Sequence, residues 1–135
     1  MLYDFSEGGG STVGDSGSGA PLDLTIADPG NVSWVDGGLS VDASTTIISE
    51  GAATKVIDAV EASNELTIEA WIRPAPGAQD GPARIVSNAS DPFGRNFLLG
   101  QGAYSNLPDD VFSLRTRTSS SLGGTPELFT PSPTA

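Results

Sequence analysis

The chain has 135 residues, six Lys and Arg against 17 Asp and Glu, a formal net charge of −11, and neither Cys nor His. That length suits one domain with a real core, and the missing basic surface excludes nucleic acids and anionic membranes as partners. The absent Cys and His remove disulfides, thiolate metal sites, a Cys nucleophile, and the commonest general base and metal ligand.

Seventeen Gly and ten Pro point to short strands separated by turns. Residues 2–5 alternate apolar with polar and predict a first strand. Residues 6–19 are Gly, Ser and acidic residues, read as a surface loop without core side chains. Leu22, Leu24 and Ile26 share a face in a half-buried strand that Asp28-Pro29-Gly30 stops. Residues 32–35 and 39–41 flank Asp36-Gly37-Gly38 as a hairpin would, and residues 45–48 are β-branched.

Val56, Ile57 and Val60 recur at helical spacing between Gly51 and Asn64, which predicts a short helix over 54–63. Residues 65–73 carry the clearest strand pattern, with Leu66, Ile68, Ala70 and Ile72 on one face and Glu65, Thr67, Glu69 and Trp71 on the other. Trp34 and Trp71 are expected in the core, because aromatic side chains dominate buried area. Further strands are expected at 83–87, 96–101 and 110–117, with residues 118–135 as a Ser/Thr/Pro/Gly-rich tail holding one weak strand. No stretch approaches the roughly 20 apolar residues of a membrane helix. The N-terminus lacks a signal-peptide pattern, so an exported domain would have its signal upstream or removed.

The start of the chain, Tyr3-Asp4-Phe5-Ser6-Glu7-Gly8 with Leu22-Asp23-Leu24, resembles the opening of laminin-G-like domains of the concanavalin A-like lectin/glucanase superfamily. Leu66-Thr67-Ile68-Glu69-Ala70-Trp71-Ile72-Arg73-Pro74, Phe97-Leu98-Leu99-Gly100 and Phe112-Ser113-Leu114-Arg115 continue that resemblance in order. It implies an all-β, antiparallel two-sheet β-sandwich of jelly-roll type with one short helix, covering residues 1–117. Strands that such domains carry further on have no match here. The resemblance therefore implies an incomplete sandwich, to be completed by a second copy or another chain.

Glucanases of that superfamily use closely spaced carboxylates on one strand. Here Glu65 and Glu69 stand four residues, about 13 Å, apart, too far for a retaining pair, so catalysis is not expected and a glycoside hydrolase remnant is the lesser reading. Sugar recognition needs an aromatic platform beside planar polar groups. Phe93, Arg95 and Asn96, with Tyr104 and Asn106, supply those types in the loops flanking one strand, and Trp34 is a third aromatic candidate. Arg115 and Arg117 share a strand face and are expected to neutralise nearby Asp. A rim calcium ion, common in such jelly rolls, would draw on Asp15 and Asp28. The expectation is a secreted or cell-surface module that binds a glycan or a protein, or a structural domain that completes itself by association.

Overall fold

The computed structural model describes residues 1–75, 83–91, 94–102, 111–121 and 127–130. Its regular structure is mainly short antiparallel strands with one α-helix, so the chain is all-β. It divides into two compact units, Met1–Thr67 and Ile68–Ala135. The first holds eleven of the 17 acidic residues and the single lysine, a formal charge of −10. The second holds six acidic residues and all five arginines, a charge of −1.

In the first unit, β1 (Thr12–Val13), β2 (Leu24–Ile26) and β5 (Ile47–Ser49) form a three-stranded sheet in the order β1-β2-β5. Val13 pairs with Leu24, and Ile26 with Ile47. The period of two therefore gathers four apolar side chains on one face. Val13 and Ile26 are fully buried there, each contributing about 1.5–3 kcal/mol. The loop expected to lack core residues thus supplies one, because a single Val suffices to anchor a Gly/Ser stretch. The expected strand at 2–5 is absent. Phe5 has φ +53°, the left-handed region that ends a strand.

The hairpin of β3 (Val32–Val35) and β4 (Gly38–Val41) forms as expected, with Gly37 at φ +67° in its turn. Ser33 and Ser40 lie opposite each other, and both hydroxyls donate to Asp42 at 2.6 Å. These bonds hold the Asp42 carboxyl below its usual range. The helix α1 (Thr54–Ser63) occupies the span that its periodicity predicts. Asn64 ends it in the left-handed conformation at φ +55°, with its N–H on the Val60 carbonyl at 2.8 Å.

In the second unit, β6 (Ala83–Ala89), β7 (Arg95–Gln101), β8 (Phe112–Thr116) and β9 (Leu128–Phe129) make an antiparallel sheet in the order β6-β7-β8-β9. The central β7 buries both faces, through Phe97 on one and Leu98 on the other. Register shifts in β6 mark irregularities beside Ile85 and Asn88. Here the strands fall where the hydrophobic runs predict, β9 being the weak strand of the tail.

The largest departure lies at residues 65–73, which form no strand. No backbone hydrogen bond ties residues 66–75 to another described residue. Trp71 is 97 % exposed rather than in the core, and Leu66 and Ile72 are exposed as well. A pattern of alternating side chains gives a strand its faces, but a ladder also needs a neighbour with free backbone groups in register. No helix among the described residues is long and apolar enough to cross a membrane.

Candidate functional site

The register of the second sheet places Val86, Leu99 and Leu114 in one row across β6, β7 and β8. Residues 68–71 lie against Leu99 and leave a shallow, open cleft of about 390 Å³ lined by Ile68, Glu69, Ala70, Trp71 and Leu99. Ile68 is half-buried, whereas Glu69 and Trp71 reach solvent. The cleft thus offers an apolar floor, an open indole face and an acceptor carboxylate. An indole face attracts C–H bonds polarised by oxygen, and a carboxylate accepts charge-assisted hydrogen bonds from hydroxyls.

The opposite face of the sheet carries the buried Leu98 and, beside it on β8, Arg115. Extending the pairing of Leu114 with Leu128 sets Arg115 across from Glu127, where the two form an ion pair through Nη2 and Oε2. Both side chains are mostly buried. Burial alone would raise the Glu127 carboxyl, but the Arg115 guanidinium, helped by the charge of Arg95, holds it below the usual carboxylate range. The ion pair joins a short edge strand to the sheet.

In the first unit, Asp15 is the most engaged acid. Its Oδ1 accepts the N–H groups of Leu2 at 3.0 Å and Gly17 at 2.9 Å. Its Oδ2 accepts the N–H of Leu22 at 3.1 Å and the Lys55 Nζ of α1 at 2.6 Å. The carboxylate is fully buried, which alone would raise its pKa. Lys55 and the three N–H groups outweigh burial and hold it well below the usual range. A Cβ at Gly17 would come within 3.0 Å of Leu2 N and closer still to Asp15 Oδ1, so only glycine fits there. Beside it, the Tyr3 hydroxyl donates to the Leu22 carbonyl at 2.5 Å. Burial and then the charges of Asp15 and Asp23 push that phenol up to about 12.

Asp15 therefore does not fit a calcium ligand: two acceptor oxygens already meet four donors, one of them a cation. Asp28 keeps an exposed carboxylate before the 3₁₀ turn Pro29–Asn31, with no side-chain cap bond. Of the expected ligand residues, Arg95 is half-buried and Asn96 exposed at the start of β7, where the Asn96 carbonyl accepts the Arg117 N–H at 2.7 Å. Phe93, Tyr104 and Asn106 lie outside the described residues. Trp34 is half-buried, its indole N–H on the Gly10 carbonyl at 3.1 Å.

Sequence reasoning takes Glu69 as a solvated or ladder-pairing residue, and it is exposed, whereas Trp71 is expected in the core and lies outside it. The alternation itself held the better signal, since it set Trp71 on the same face as Glu65, Thr67 and Glu69, the polar one. No family model matches the chain, and no curated protein or solved structure is significantly similar to it.

Proposed function

We propose that the chain is a non-catalytic recognition module of the laminin-G-like jelly-roll type, working at the cell surface or in secreted form, and that it takes a neutral glycan on Trp71. The observation that carries this reading is an indole 97 % exposed on the rim of a cleft with the Glu69 carboxylate beside it. A solvated indole is a costly surface unless something stacks on it, and a pyranose supplies both the apolar C–H face and the hydroxyls that Glu69 accepts. A chain with net charge −11 disfavours acidic sugars.

The test is a panel of neutral and acidic oligosaccharides screened by the blue shift and quenching of tryptophan emission, with Trp34→Phe to isolate Trp71. Neutral glycans are expected to bind. Trp71→Ala should weaken them at least about tenfold, Trp71→Phe less, and Glu69→Gln about threefold to tenfold. Binding that survives Trp71→Ala, or a preference for acidic glycans, would overturn the reading.

A further inference from the structure

We propose that residues 65–73 pair with the same residues of a second copy, as an antiparallel two-stranded ladder about a two-fold axis at Glu69. The pairing needs nothing from the glycan reading, because Trp71 stays on the outward, polar face. Three observations carry it.

The segment has the alternation of a strand, and beyond Glu65, whose N–H and carbonyl bond the Ser63 hydroxyl, no backbone hydrogen bond ties it to another described residue. It is bounded by the helix-ending Asn64 on one side and on the other by Pro74, which has no N–H to donate. On its apolar face, Leu66 is 44 % and Ile72 45 % exposed.

The sequence is also complementary to itself. A two-fold axis at Glu69 sets Leu66 opposite Ile72 and Ile68 opposite Ala70 on one face. On the other face it sets Thr67 opposite Trp71 and Glu65 opposite Arg73, and each of these pairs occurs twice. Neither Glu65 nor Arg73 has a side-chain partner among the described residues. Shifting the register by two residues keeps the apolar face but loses both Glu65–Arg73 pairs. A shift by one sets apolar residues opposite polar ones. The only opposing feature is Glu69 facing its own copy at the axis.

The third observation is charge. Residues 65–73 together carry only −1, against −11 for the whole chain. Self-pairing through this segment keeps the like charge of the contact small. A single two-stranded contact is a small interface, so the expected dissociation constant is weak, on the order of 0.1 mM.

The absence of cysteine gives a clean test in the full chain. Opposed residues of an antiparallel pair have Cα atoms about 4.5–5.5 Å apart, inside the disulfide range of about 4.4–6.8 Å. A Glu69→Cys variant meets its own copy at the axis and is expected to form a covalent dimer with oxidised glutathione. In a Thr67→Cys variant the two thiols stand four residues apart along the ladder, roughly 13 Å, and the protein should stay monomeric. By sedimentation equilibrium up to millimolar protein, Arg73→Glu should weaken the dimer about tenfold, and the swap Glu65→Arg with Arg73→Glu should restore it. Glu69→Gln should tighten the dimer while weakening glycan binding, which separates the two proposals. Monomer at every concentration, equal crosslinking at 67 and 69, or indifference to Arg73→Glu would each overturn the pairing. Circular dichroism confirms that each variant is folded, and the charge swap decides the matter should a cysteine variant fail to fold.

Discussion

The two units are held by different physics. The first is short of apolar anchors and gathers its N-terminal loop segments and its helix around a buried carboxylate, with Asp15 bonded to Leu2, Gly17, Leu22 and Lys55. The second rests on a four-stranded sheet whose central strand is buried on both faces, and its ion pair of Arg115 with Glu127 fastens only an edge. A buried ion pair ranks as a keystone where apolar area is scarce and as a rivet where a sheet already closes the core. The first unit is therefore expected to respond to pH and to single polar changes far more than the second.

The comparison is most easily broken at Asp15. Replacing it with Ala leaves Lys55 and three N–H groups without their acceptor, and the expected loss is about 3–5 kcal/mol, read as a urea midpoint shift and as faster amide exchange at Ile26 in β2. The matching change in the second unit, Arg115→Met, leaves Glu127 unpaired in a less enclosed place and should cost about 2 kcal/mol. The double change Arg115→Met with Glu127→Leu should recover most of that loss, since an apolar pair replaces the charges at similar volume. Equal costs at the two sites would show that the sheet, too, depends on its ions.

Titration sharpens the same contrast. The folded Asp15 carboxyl lies well below its unfolded value near 4, so its stabilisation is complete above about pH 4 and is lost as pH falls through the folded value. Glu127 shifts in the same direction and loses its share as pH falls below its own unfolded value. At the other end, the Tyr3 phenol rises from an unfolded value of 10.0 to about 12. Its contribution is present below pH 10 and disappears between pH 10 and 12, when the unfolded chain releases the proton first. Tyr3→Phe should remove this alkaline limb, seen as circular dichroism against pH, and leave the acid limb in place.

Much of the second unit was legible because strand runs such as Asn96-Phe97-Leu98-Leu99 carry their own apolar payload, and the helix because Val56, Ile57, Val60 and Asn64 mark its face and its end. What was not legible depends on partners distant in sequence. Val13 joins a sheet from within a Gly/Ser stretch because Leu24 lies opposite it. Asp15 becomes a keystone because Lys55, forty residues away, reaches it. Composition shows neither. The conformation of Phe5 is equally hidden, since nothing in an alternating tetrapeptide announces a positive φ.

The smallest expected effect on stability tests the largest disagreement between pattern and structure. Trp71→Ser should change the unfolding free energy by no more than about 0.5 kcal/mol, as exposed positions do, because an indole 97 % exposed leaves no cavity when removed. Were the segment a core strand with Trp71 packed inside, the same change would cost about 3–5 kcal/mol. A urea melt separates values that far apart. A neutral result joined to the loss of glycan binding would set Trp71 apart from every buried residue of the sheet, as a side chain that contributes to recognition and not to folding.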